Sequence, residues 1–167
     1  MTMALAEFDR DDALEHGLLP VVAAAPVPRD VLSAYATLYL EHEVKAEGLV
    51  RSVGSFARFL EVVSFAHSGI LNVSNIARES QVNRKTVEGY LEILQDLLLS
   101  HRLPAFTKRA VRQTTSHPKF FLFDTGVFRA LRPKGPLDRP EEIGGAALEG
   151  LVSTCAHGSA TARATSR

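Results

Sequence analysis

Between residues 72 and 99 the apolar positions recur every three or four residues, and one brief interruption divides the stretch in two. Val73, Ile76 and Ala77 share one face of a short helix predicted over Val73 to Ser80, with Asn72 as its N-cap. Gln81 and Val82 make the turn, and Val82 is the apolar plug expected to set the angle between the helices. Asn83 caps a second, longer helix whose stripe is Val87, Leu91, Leu94 and Leu98, with Tyr90 and Leu97 beside it. Arg84, Lys85, Glu88 and Glu92 are left for its solvent face. This is the layout of a helix-turn-helix, in which the second helix offers its first residues to a major groove.

The flanks complete the unit. A helix from about Ser55 to His67 presents Phe56, Phe59, Leu60, Val63 and Ala66 on one side, and Ile70-Leu71 leads from it into the helix-turn-helix. After Leu99 the period changes: Ser100 to Phe106 and the aromatic run His117 to Phe123 read as extended, joined by the polar, basic TKRAVRQTTS of residues 107–116. Two strands around a basic loop form a wing. Asp124 then caps a short helix, Thr125 to Leu131, stopped by Pro133. The expected fold class is mainly α, a winged helix-turn-helix with an N-terminal helical extension and a short two-stranded wing.

In the extension, an acidic helix is predicted over Ala4 to Leu14, with a stop at Gly17 and a loop over VVAAAPVP, residues 21–28. A further helix, capped by Asp30 and running to Gly48, has Leu32, Tyr35, Ala36, Tyr39, Leu40 and Val44 on its apolar face. At the other end Glu141 to Val152 opens a helix, with Leu148, Leu151 and Val152 ready to pack. The STCAHGSATARATSR that follows lacks periodicity and is expected to be disordered. The divisions are therefore 1–52 as extension, 53–133 as winged helix, 134–152 as the start of a further domain and 153–167 as tail.

Charge changes the picture more than composition does. The net charge is zero, yet residues 1–50 carry nine acidic and three basic side chains while residues 101–134 carry one acidic and eight basic. Arg102, Lys108, Arg109, Arg112 and Lys119 lie on the wing, beside the candidate base readers Asn83, Arg84, Lys85 and Thr86. That placement points to duplex DNA, with phosphate contacts from the wing. Against it stand Glu88, Glu92 and Asp96, which make the second helix acidic after one turn. The alternative expectation is that the basic wing is a solvated hairpin tip or pairs with the acidic first third, in an interaction domain that binds no nucleic acid.

The single cysteine, Cys155, can form no internal disulfide, no apolar run is long enough for a membrane span, and the acidic N-terminus is no secretory signal. A cytoplasmic protein is the expectation. No G-x-x-x-x-G-K-[ST] loop is present and the six histidines lack a metal-ligand spacing, so neither catalysis nor a cofactor is expected of this chain.

The phrases HGLLP, LSAYATLYLEHEVKAEGLVRSVGSFARFLEVVSF, ILNVSNIARESQVNRKTVEGYLEILQDLLL, HPKFFLFDTGVFRAL and IGGAALEGLV, in this order, resemble the C-terminal region of a prokaryotic AAA-type ATPase family. That family is built of a P-loop ATPase module, a winged helix and a domain similar to PD-(D/E)XK nucleases. Asn72, Ile76, Ala77, Thr86, Val87, Tyr90 and Leu94 match its helix-turn-helix, and Pro118, Lys119, Phe123, Asp124 and Gly126 match the stretch that follows. Gly145 and Glu149 resemble the G-x-x-x-E that opens the nuclease-like domain. The resemblance implies a fragment without the ATPase module, whose ATP and magnesium belong to the full-length family, and without most of the nuclease-like domain. It also implies a foreign tail after Val152. Implied partners are duplex DNA, an ATPase module or a second copy of the chain. A nuclease role for Glu149 would need completion by another chain.

Overall fold

The computed structural model describes residues 8–36, 52–104, 117–136 and 138–165, which form eight α-helices and three strands. α1 (Arg10–His16) starts at Asp9, whose side chain accepts from the N–H groups of Asp11 and Asp12, and ends at Gly17 with φ 81°. It begins later than Ala4, and residues 1–7 lie outside the described residues. The Pro-rich segment expected as a loop contains one helical turn, α2 (Pro20–Ala23): Pro20 needs no N–H at the first helical position, and Val22 is buried. α3 (Pro28–Ala34) likewise starts on a proline, so Asp30 sits inside its first turn instead of capping it. Leu32 and Ala36 are buried as expected, whereas Tyr39, Leu40 and Val44 lie outside the described residues.

α4 (Val53–Ser64) is capped by Ser52 and buries Phe56, Phe59, Leu60 and Val63. α5 (Val73–Ser80) and α6 (Arg84–Asp96) are the two helices of the helix-turn-helix, capped by Asn72 and Asn83. Tyr90 of α6 meets Phe56 edge-on at 5.1 Å and Phe59 at 5.2 Å, which locks α6 to α4 through an aromatic cluster. The turn between α5 and α6 closes on itself. Gln81 is left-handed (φ 57°), its N–H bonds Arg78, and the N–H of Val82 bonds Ala77 at 3.1 Å. This is a Schellman ending, and Val82 packs on the core as its apolar partner.

Three strands follow this plan: β1 (Gly69–Ile70), β2 (Ser100–Leu103) and β3 (Lys119–Leu122), antiparallel in the order β1-β3-β2. β2 and β3 are the expected wing strands. β1 is new, a two-residue piece too short to show alternation in the sequence. The register pairs Leu103 with Lys119 and Ser100 with Leu122 on one side, and Ile70 with Lys119 on the other. Phe120 and Leu122 therefore face the helices, where both are buried in the main core. Phe121 faces the opposite way and is buried as well, stacked at 5.2 Å on His101 and edge-on at 5.8 Å to His67.

Two helices close the structure. α7 (Thr125–Leu131) is capped by Asp124, and its start interlocks with the end of α1. Thr125 donates to the carbonyl of Ala13 at 2.6 Å, Arg129 donates to that of Leu14 at 2.7 Å, and Leu18 N–H donates to Asp124 at 2.7 Å. Gly126 lies directly against the His16 carbonyl, where any Cβ would overlap it. α7 thus satisfies the Leu14 carbonyl and adds a second donor to that of Ala13, and the N-terminal extension belongs to the same core as the helix-turn-helix. α8 (Pro140–Thr165) covers the outer face of the sheet and buries Ala147 and Leu151. It does not stop at Val152. The stretch expected to be disordered continues the helix to Thr165, because its alanines at 156, 160, 162 and 164 favour helix through intrinsic propensity without any apolar stripe. No helix among the described residues is long and apolar enough to cross a membrane.

Candidate nucleic-acid interface

The first turn of α6 brings Asn83, Arg84, Lys85 and Thr86 together at one exposed corner. Two of the four are engaged in the cap: Asn83 Oδ1 accepts from the backbone N–H of Thr86 at 2.9 Å and from its hydroxyl at 3.0 Å. The oxygen that could read a base edge is therefore committed to helix geometry. Arg84 Nε reaches Glu88 at 2.9 Å, an exposed pair one turn along the same helix. Lys85 is exposed and makes no ion pair among the described residues. Arg78 of α5 donates to Asn75, and Glu88, Glu92 and Asp96 follow along α6. The corner offers two cations to a phosphate and few free groups to a base.

On the wing, Arg102 and Lys119 are described, whereas Lys108, Arg109 and Arg112 lie outside the described residues. Arg102 stands opposite Phe120 and is half-buried, with its Nε enclosed and without a hydrogen-bond partner among the described residues. Lys119 pairs with Glu149 of α8, and the same carboxylate accepts from the hydroxyl of Ser68. These two bonds hold the Glu149 carboxyl below its ordinary range, the one from Lys119 being the larger cause. Sequence reasoning singled out Glu149 for a different role and gave no sign of Ser68, whose only signal is the Ser-Gly turn before β1.

Two other cations of the basic last third are occupied. Arg129 reaches Glu15 at 3.4 Å, and Arg132 pairs with Asp138 at 2.9 Å while lying 4.4 Å from the Phe65 ring centroid. One contact of the expected kind between acidic first third and basic last third is therefore present, on the α1–α7 side.

His67 is the buried ionisable group behind this surface. Its Nδ1 accepts from Leu122 N–H at 3.1 Å, so the ring proton sits on Nε2, which is enclosed and makes no hydrogen bond among the described residues. The ring stacks on Phe128 at 4.2 Å, and Gly150 of α8 is the only residue type that leaves it room. Burial pushes its pKa down from 6.5 to about 4. Among the described residues no group of histidine, cysteine or carboxylate side chains could hold a metal. A cleft of about 160 Å³ is lined by Leu18, Leu19, Phe123, Asp124, Thr125, Leu151 and Thr154; its carboxylate accepts from the N–H groups of Leu18 and Val127, and its two hydroxyls donate to the Ala13 and Phe123 carbonyls.

The family described as domain of unknown function DUF8612 matches residues 7–138, most of the chain, and the protein belongs to that family. The matched span opens just before α1 and closes just before α8, so it takes in the interlock of α1 with α7 as well as the helix-turn-helix. No curated protein and no solved structure matches the chain.

Proposed function

We propose that this is a non-catalytic winged-helix domain that contacts duplex DNA through the start of α6 and the wing. The observation that carries the reading is the order α4-β1-α5-α6-β2-β3 with a β1-β3-β2 sheet, which leaves Arg84 and Lys85 exposed at the start of the second helix of the pair, in a chain whose sequence between β2 and β3 is basic. Binding on this reading is dominated by phosphate. The Asn83 Oδ1 and the Thr86 hydroxyl are spent on the cap, so base reading is weak and affinity varies little with sequence.

The test is fluorescence anisotropy with a labelled random-sequence duplex over a salt series. Lys108→Ala with Arg109→Ala should weaken binding to every duplex alike and lower the log–log salt slope by about two. Unchanged affinity for the double variant would remove the reading. The resemblance to an AAA-type ATPase family supports a cytoplasmic setting beside an ATPase module, to which ATP and magnesium would belong.

A second reading is an interaction domain that packs against such modules or against a second copy and binds no nucleic acid. Leu148 and Val152 favour it: they lie four residues apart on α8 and both are exposed. A folded chain that binds no duplex at low salt would decide for it.

A further inference from the structure

The proposed nucleic-acid surface and the C-terminal helix meet on the outer face of the sheet. Lys119 opens β3, in register with Ile70 and Leu103, so it stands at the end of the sheet opposite the last residues of β1 and β2. Glu149 reaches it from α8 and takes a second hydrogen bond from Ser68. Ser68 is itself held by the sheet, its N–H donating to the Phe120 carbonyl at 2.8 Å. Further along α8, Ser153 lies 2.8 Å from Nε2 of His101, and Thr154 donates to the Phe123 carbonyl at 3.1 Å. Successive residues of α8 are therefore tied to the sheet, and Glu149 is the carboxylate among them.

We propose that α8 is an intramolecular competitor of nucleic acid: Glu149 occupies the Lys119 ammonium that would otherwise meet a phosphate, and so lowers duplex affinity until the pair opens. This rests on the duplex-binding reading above. The pair is suited to exchange, because the Lys119 and Glu149 side chains keep 42% and 46% of their surface in water. A half-exposed pair is weak and screened by salt, whereas a cation on B-DNA gains from counterion release. Ser68 biases the competition, since its hydroxyl keeps the carboxylate over Lys119 instead of in water.

The experiment compares the full chain, Glu149→Gln, Lys119→Ala and the Lys119→Ala/Glu149→Gln double variant on the same labelled duplex across a salt series. Glu149→Gln keeps the shape and removes the charge, and circular dichroism checks the fold of each. It should bind about threefold to tenfold more tightly at low salt, with a slope steeper by about one, and the double variant should behave as Lys119→Ala. Ser68→Ala, which alters neither charge, should give a smaller gain in affinity. The proposal is overturned if the wild type binds and Glu149→Gln matches it. It is equally overturned if Glu149→Gln gains as much without Lys119, for then the carboxylate merely repels phosphate. If neither wild type nor Glu149→Gln binds at low salt, the duplex-binding reading fails and takes the competitor role with it.

Discussion

Asp124 connects the two ends of the chain with one carboxylate. Oδ1 accepts from Val127 N–H and caps α7, while Oδ2 accepts from Leu18 N–H across 106 residues of sequence. Burial pushes its carboxyl up, and the backbone donors Leu18, Val127 and Gly126 oppose that shift. Gly17 makes room for it, since a Cβ there would overlap the carboxylate. Asp124→Ala removes a cap and strands the Leu18 N–H, so urea unfolding should show a loss of about 2 to 3 kcal/mol. A loss below about 1 kcal/mol would mean that water replaces both bonds. The cap was legible, because Asp-Thr-Gly stands directly before an apolar run. The bond to Leu18 was not, because nothing local marks a partner so distant in sequence.

Helix endings, more than helix interiors, set the geometry of the candidate interface. α6 ends as α5 does: Leu98 is left-handed (φ 58°), its N–H bonds Gln95, and Leu99 N–H bonds Leu94 at 2.8 Å. The stripe that predicted a buried Leu98 therefore stops short, and Leu98 is 80% exposed while Leu99 is buried against the core in its place. A leucine in this backbone region is strained and buries little. Leu98→Gly should accordingly raise stability by about 1 kcal/mol in thermal or urea unfolding. The positions of α5, α6, β2 and β3 were readable from periodicity, and the α6 corner with them. The Asn83 cap was readable as well, but that the Thr86 hydroxyl also bonds Asn83 was not, because a hydroxyl turned to the cap and one turned to a base look alike in sequence.

At the scale of the whole molecule, α8 ties the sheet to the rest through His67. Its pKa falls from 6.5 to about 4, so between those values the unfolded chain binds a proton that the folded chain refuses. Stability is therefore complete above about pH 6.5 and declines as pH falls, by about 3 kcal/mol at pH 4. Of the neighbouring charges, Glu149 opposes the shift and His101 adds to it, while burial dominates. Asp124, held above its ordinary value, acts in the opposite sense once the carboxylate range is reached. Urea midpoints between pH 7 and 5 should fall for the wild type and stay nearly level for His67→Gln, which can still accept from Leu122. Equal slopes in the two proteins would place the titration elsewhere.

The sequence by itself determined the local elements: two capped helices with a plugged turn, a pair of strands, a capped α7 and the start of α8. Each follows from forces between residues a few positions apart, namely apolar period, caps and left-handed turns. It also marked Lys119 and Glu149 separately as residues with chemistry. Only the tertiary structure decided that they neutralise each other, that α1 ends on α7, that β1 completes the sheet, and that His67 is sealed beneath Gly150. Those outcomes depend on which distant surfaces are brought within hydrogen-bond distance and shielded from water. A pattern along one chain encodes the tendency of a face to be buried, not the identity of what buries it.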